Sequence, residues 1–301
     1  MLQLDIFSEN LPQKAYSCND FDVDNKVRKL TDAIKKRYIQ PNDFNSTQWF
    51  VFDIDRATCP DEIRQDRLAP EPTIFVQNPN NQHAHLLYLL RKAVHQNDNS
   101  SQAAIRYAAA VQHGLAHKLD ADLSYVGLLA KNALHRDWRV IETLPYAFEL
   151  DELADNVDLN LLKTKGKDRT EYGLGRNCIL FDDVKTWAYK AIRQGWPQYE
   201  QWYNAVLQRT EMLNAKFKQP MQYNEYKHIA KSIANWTHGN FSKSGFAQWQ
   251  SNNGKRSGIV RAKKNDDNRI QAIEMRVRGK SAKDISLFLN TPISTIYRWL
   301  K

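Results

Sequence analysis

The chain has 301 residues, 42% of them hydrophobic, and a net charge of +9, which is enough material for two domains and one small module. No apolar run approaches the ~18 residues that a membrane span needs, and the opening Met1–Asp5 lacks both the basic cluster and the apolar stretch of a signal peptide. Cys18, Cys59 and Cys178 lie too far apart for a disulfide framework or a zinc pattern, so the expectation is a cytoplasmic protein.

The first strong element is the segment 49–55, Trp-Phe-Val-Phe-Asp-Ile-Asp, whose aromatic and β-branched residues predict a strand. A second strand is predicted at 73–76 and a third at 83–90, separated by the turn-prone Asn78-Pro79-Asn80-Asn81. The alanine-rich segment 101–119 predicts a helix. Strand, hairpin and helix in that order predict an α+β chain with an α/β catalytic-type domain at residues 1–165. Gly166, Gly173 and Gly175 mark a break. Helical spacing follows over 181–193, 198–216 and 223–236, which predicts a helical middle domain at 166–240. Residues 241–265, rich in Ser, Asn, Gly and Lys, read as a basic linker.

The charge is concentrated at the end of the chain. Residues 255–301 hold twelve basic residues against four acids, so +8 of the net +9 lies there. Such an excess at one end is the footprint of a polyanion-binding module. Within it, 266–278 predicts a helix with Ile270, Ile273 and Val277 on one face, stopped at Gly279. Ser281 and Asp284 form a capping-box pattern ahead of Ala282, Ile285 and Leu289. Thr291 as N-cap and Pro292 at the first helical position start a last helix. Its predicted buried stripe is Ile293, Ile296, Tyr297 and Leu300, leaving Ser294, Thr295, Arg298 and Lys301 outside. Three short helices of this kind predict a helix-turn-helix at 266–301. Its outer residues would read DNA, while Arg261, Lys263 and Lys264 would touch phosphates.

Asp53 and Asp55 stand two apart on one strand, so both carboxylates leave the same face. Two ionised carboxylates that close repel unless a cation lies between them. Mg²⁺ or Mn²⁺ favours such oxygens, with substrate phosphates completing the shell. His83 and His85 open the third strand on one face and could serve a metal or a nucleotide phosphate. Asp120 or Asp122 could supply a third carboxylate, and Lys131 lies nine residues beyond. Other signals do not develop. His113 and His117 lack the glutamate of a zinc protease and are expected at the surface. Gly173-Leu174-Gly175 lacks a third glycine, and Cys178 has no nearby base.

Several motifs in order resemble the replication initiator-primases of theta-replicating colicin E-type plasmids, in the archaeo-eukaryotic primase superfamily. They are Tyr38-Ile39-Gln40, Phe52-Asp53-Ile54-Asp55-Arg56, residues 80–88, residues 127–132, Gly175-Arg176-Asn177 and residues 229–233. The segment 127–132 is followed by Ala133 where the family usually has proline. The resemblance implies that Asp53, Asp55 and Asp122 are catalytic, metal-binding carboxylates, with Asp120 in reserve. It also implies that His85 and Lys131 contact the nucleotide. The implied activity is a primase that binds plasmid origin DNA and makes a short RNA from ribonucleoside triphosphates on a template strand, for a host DNA polymerase to extend. Two alternatives stand beside it. A rolling-circle nickase would use His83-Ala84-His85 as its metal motif and Tyr189 or Tyr203 as nucleophile. A non-enzymatic initiator would use only the basic tail.

Overall fold

The computed structural model describes residues 3–21, 23–166 and 169–301, the side chain of Arg261 excepted. The chain is α+β and divides into two compact units, residues 1–240 and 241–301. The domain boundary expected near residue 165 falls inside the first of them.

In chain order the first unit begins with α1 (Gln3–Glu9), β1 (Lys14–Cys18), β2 (Lys26–Lys29), α2 (Leu30–Ala33) and β3 (Tyr38–Ile39). Then come β4 (Ser46–Ile54), β5 (Ile74–Gln77), β6 (Ala84–His95) and α3 (Gln102–Leu119). They are followed by β7 (Ala130–Lys131), β8 (Arg139–Glu142) and α4 (Leu150–Ala154). The unit closes with α5 (Gly175–Gly195), α6 (Tyr199–Asn214) and α7 (Tyr223–Asn240).

Two antiparallel sheets form, in the orders β4-β6-β5-β8 and β2-β1-β3-β7. The larger is covered on both faces, which is why β4 reads as a nearly continuous apolar run rather than an alternating one. Phe50, Phe52 and Ile54, with Leu86 and Tyr88 of β6, pack in one core with Ile105, Val111 and Leu115 of α3. Trp49 and Val51, with Leu87 and Leu89, pack in the other against Phe7, Ile39 and Ala130. The three predicted strands are present. β6 runs on to His95 because Thr47 and Ser46 still pair with Val94 and His95 beyond the apolar stretch. The smaller sheet has no comparable signal, since Lys26–Lys29 is Lys-Val-Arg-Lys and β3 and β7 have two residues each.

His113 corrects one expectation. It is buried, with its ring against Tyr172, and only His117 of the pair lies at the surface. Burial first, then the neighbouring His117, brings its pKa down to about 4. A histidine that is neutral when folded but titrates near 6.5 when unfolded stabilises the fold fully above that pH. The contribution is lost as pH falls toward 4. Wild type should therefore lose about 2–3 kcal/mol more stability than His113→Leu between pH 7 and pH 4, read from urea unfolding midpoints.

The glycines at 173 and 175 serve packing. A Cβ on Gly175 would lie 2.3 Å from the Thr170 carbonyl oxygen, and Gly173 has φ +48 with Gln112 pressed against it. Gly175→Ala should cost about 1–3 kcal/mol in the same unfolding assay, because backbone rather than a flexible side chain must yield.

The second unit comprises α8 (Lys243–Val277), α9 (Ala282–Phe288) and α10 (Ile293–Trp299). The expected linker is helical. Ser242 caps α8 by accepting from the Gly245 N–H at 3.1 Å, and the helix runs unbroken into the predicted 266–278 segment. No apolar periodicity announces it. The packed face also differs from the expected one. Ile270, Ile273 and Val277 are 57%, 43% and 83% exposed, while Ala272 is buried and Met275 packs beside it. A small residue sits where α9 and α10 come close. Gly279, at φ +82, ends α8 in a Schellman turn: its own N–H reaches Arg276 and that of Lys280 reaches Met275. The Ser281–Asp284 capping box is present. Asn290, at φ +46, repeats the Schellman turn after α9. The N-cap of α10 is Pro292 and not Thr291, whose hydroxyl donates to the Leu289 carbonyl. On α10 only Ile296 is fully buried, with Leu300 partly so; Ile293 and Tyr297 join the exposed face.

Candidate active site

The site grows from the β4–β6 pair. Asp53 lies opposite His85 in the register, on the face that carries Trp49, Val51, Leu87 and Leu89. Asp55, one residue past the end of β4, continues that alternation, as does His83 before β6. Here the strands outrun the core. Tyr38 and Lys131, paired across the smaller sheet, line the same cavity as Asp53 and His85.

The third carboxylate arrives from α3. That helix ends at Asp120 in the left-handed region, φ 52, and the chain then turns so that the Asp122 N–H donates to the Asp53 carbonyl at 2.9 Å. Arg56 fixes the join. Its guanidinium donates to the carbonyls of Asp120 (2.7 Å) and Leu119 (2.9 Å) and pairs with Glu62 at 2.8 Å. Cationic donors are well suited to the unpaired carbonyls of a helix C-terminus. Asp120 faces Arg67 at 3.2 Å and Arg56 at 3.8 Å. Asp122 is therefore the partner of Asp53 and Asp55, and one oxygen of each lies within 4.8 Å of the others.

The Asp53 side chain is largely buried, 17% exposed against 62% for Asp55. Burial alone would raise its pKa, but the hydrogen bond from His85 and the Lys131 ammonium outweigh it and hold the group at about 2. His85 Nε2 is 3.1 Å from Asp53 Oδ1, and its Nδ1 accepts the Lys131 backbone N–H at 3.1 Å. With Nδ1 accepting, the ring proton belongs on Nε2, pointed at the carboxylate. Burial, then Lys131, lowers the pKa of His85 and keeps the ring neutral. Lys131 Nζ stands 3.5 Å from the same Oδ1, and burial lowers its pKa while Asp53 opposes the change. Asp122 accepts both the N–H and the hydroxyl of Ser124 at 2.8 Å, and His83 Nδ1 is 3.5 Å from Asp55.

The donor set fits a hard divalent cation. All three ligands are carboxylates, and hydrogen bonds fix the orientation of two of them. The surrounding cavity, about 490 Å³, leaves room for water and phosphate oxygens. Both imidazoles are turned toward carboxylates, and neither Tyr189 nor Tyr203 lines the cavity. Burial raises the pKa of both phenols. Cys178 is buried, with its thiol pushed up to about 11, and is no nucleophile.

Two contributors fall inside the motifs that carry the resemblance, but their structural roles were not readable from the sequence. One is Arg56, whose role requires knowing where α3 ends. The other is Asn132, fully buried, which donates to the carbonyls of Ile34 (2.9 Å) and Lys36 (2.8 Å) and fixes Lys131 beside β3. In the second unit Ser294, Arg298 and Lys301 are exposed and Thr295 is half-buried, with Lys263 and Lys264 exposed on α8. The side chain of Arg261 lies outside the described residues.

Residues 10–157 match the Replicase family. The DNA-binding domain of ColE2-P9 Rep, solved in complex with the replication origin, is 48% identical over 28% of this chain and 71% of that one, with a TM-score of 0.28. The chain belongs to the Replicase family. A second solved structure, the AEP domain of the cyanophage S-2L primase-polymerase, is 9% identical over 48% of this chain and 88% of that one, with a TM-score of 0.37. No curated protein matches this chain. Among the described residues, no helix is long and apolar enough to cross a membrane.

The carboxylate geometry yields a binding test. Asp53→Asn and Asp122→Asn should each weaken Mn²⁺ binding about tenfold or more in a paramagnetic-resonance titration. Asp120→Asn should leave it unchanged, because that side chain is engaged by arginines.

Proposed function

We propose that this chain is a plasmid replication initiator that binds its double-stranded origin and synthesises a short RNA primer by metal-dependent nucleotidyl transfer. The observation that carries the catalytic half is the triad of Asp53, Asp55 and Asp122 beside buried His85 and Lys131. Mg²⁺ or Mn²⁺, when bound, polarises phosphoryl oxygens and favours the alkoxide form of the attacking hydroxyl. The chain's own groups set the stage for this chemistry. Asp53 is kept ionised and aimed by the His85 N–H, leaving its second oxygen for the cation. Lys131 presents its ammonium on the cavity wall, where it meets the triphosphate of the incoming ribonucleotide. His85 is a positioning residue for Asp53 and contacts the nucleotide at the cavity floor.

Residues 1–165 act as the catalytic domain in this reading, 166–240 as the helical primase C-terminal domain and 266–301 as the origin-reading helix-turn-helix. The identity to the ColE2-P9 Rep domain and the +8 tail support origin binding. Ser294, Thr295, Arg298 and Lys301 face the major groove, joined by Tyr297, whose side chain is exposed. Arg261, Lys263 and Lys264 touch phosphates and contribute salt-sensitive affinity without base preference. The primer is made on the template strand, in the cytoplasm, and passes to a host DNA polymerase.

The test is incubation with Mg²⁺ or Mn²⁺, labelled ribonucleotides and origin DNA. Asp53→Asn and Asp55→Asn should each reduce primer yield on the order of a thousandfold and leave origin retardation in a gel unchanged. Deleting 266–301 should abolish specific retardation, and Arg298→Ala should relax discrimination at one or two base pairs by about 1–3 kcal/mol. Wild-type primer yield from both aspartate variants would refute the catalytic half. A covalent tyrosine–DNA adduct from wild type would restore the nickase reading.

A further inference from the structure

One aromatic side chain faces the acidic cavity without serving either core. Phe21, on the connection between β1 and β2, is 51% exposed and lines that cavity together with Tyr38, Asp53, Asp55 and Lys131. Its ring lies 4.4 Å from that of Tyr38, tilted by 45°. Tyr38 is backed in turn by Trp138 at 5.4 Å, and the Arg37 guanidinium covers the Trp138 ring at 4.7 Å. The connection is tied at both ends. Asn19 Oδ1 accepts the Arg37 N–H at 3.2 Å, and the Asp24 carboxylate pairs with Lys36 at 3.1 Å and with Arg28. A half-exposed phenylalanine forgoes part of the stabilisation that full burial would bring. Here polar contacts on either side hold the ring in that position, so its free face is presented to the cavity and is not left over from packing.

The order of groups along this wall matches a nucleotide. Tyr38 pairs with Lys131 across the smaller sheet, so the two side chains leave the same face, one strand spacing of ~4.8 Å apart. Phe21 lies one ring beyond Tyr38. Exposure rises along the same line, from buried Lys131 to half-buried Tyr38 to Phe21. From the carboxylates outward the wall thus offers an ammonium, a phenol and an apolar ring. A nucleotide presents phosphates, sugar and base in that order, and a cavity of about 490 Å³ has room for all three. We propose that Phe21 is the base platform of this cavity, on which the nucleobase of the incoming ribonucleotide stacks while Lys131 holds its triphosphate. This rests on the primer-synthesis reading above and adds the part of the nucleotide that the carboxylates and Lys131 leave unheld. A ring meets the face of a base and not its edge, so the platform takes all four bases and favours purines, whose faces are larger.

The full chain is titrated without DNA, in Ca²⁺ to hold nucleotides without turnover, using ATP, CTP and a base-free ribose triphosphate. Phe21→Ala should weaken ATP binding about tenfold or more, CTP binding less, and binding of the base-free triphosphate not at all. Phe21→Trp should bind ATP as wild type does. An aminopurine ribonucleoside triphosphate, whose fluorescence is quenched by stacking, should be quenched on wild type and stay bright on Phe21→Ala. With Mg²⁺ and origin DNA, Phe21→Ala should raise the KM of the incoming nucleotide about tenfold and leave kcat unchanged, since stacking holds substrate and transition state alike. ATP bound as tightly by Phe21→Ala as by wild type overturns the proposal. So does an equal loss for the base-free triphosphate, which would mark a collapsed cavity. A loss seen only once a template is present also overturns it, by giving the platform to the template base. A wild type that binds and stacks nucleotides but makes no primer would instead refute the primer-synthesis reading and leave a nucleotide platform in place.

Discussion

A carboxylate held ionised inside a protein is a costly arrangement, and Asp53 is that group here. Desolvation pushes it toward the neutral acid, and one hydrogen bond from His85 with one nearby ammonium pushes it back. Everything that surrounds the site exists in relation to that balance. The register of β4 against β6 is fixed by apolar side chains on both faces, and a slip of one residue would send Asp53 into the α3 core. The smaller sheet sets Lys131 in place, and α3 delivers Asp122 with Arg56 closing its C-terminus. None of these parts belongs to the carboxylate cluster, yet each sets the position of one of the groups that form or flank it.

The electrostatics of the chain are divided by place. Three acids of the first unit meet where β4 and α3 end, while almost all the net charge is carried by the last 47 residues. A single averaged value such as +9 hides that arrangement. A phosphate-rich partner would meet attraction at the tail, and repulsion at the carboxylates unless a cation mediates.

Much of this was legible in the chain. The aromatic run 49–52 marks a two-faced strand, the two-residue spacing puts Asp53 and Asp55 on one side, and Ser281 with Asp284 marks a helix start. Asp122 was legible only through the resemblance, because choosing it over Asp120 turns on a left-handed residue at 120. The smaller sheet was opaque since β2 is Lys-Val-Arg-Lys and β3 and β7 have two residues each, too short to leave a period-two pattern. The helix at 243–265 was opaque for a different reason: it buries almost nothing, so it leaves no periodic mark. On the last helices the reading chose the bulkiest apolar face, whereas the fold chose Ala272, where backbones approach.

The core of the second unit consists of Ala272, Ala282, Ile285 and Ile296, with a few partly buried neighbours. Four small or medium side chains bury far less apolar surface than ordering some sixty residues demands. Between Ser251 and Asn265 no described residue is buried, and Gly254 and Gly258 lower the intrinsic helix preference there. Order in this part of the molecule is thus a local equilibrium of its own. When it associates with a polyanion, the ordering and the association share one free energy, and the heat capacity change exceeds what the contact area alone would give. Affinity then becomes a property of temperature as much as of sequence, and helix-favouring substitutions at 254 and 258 would tighten binding without touching the ligand.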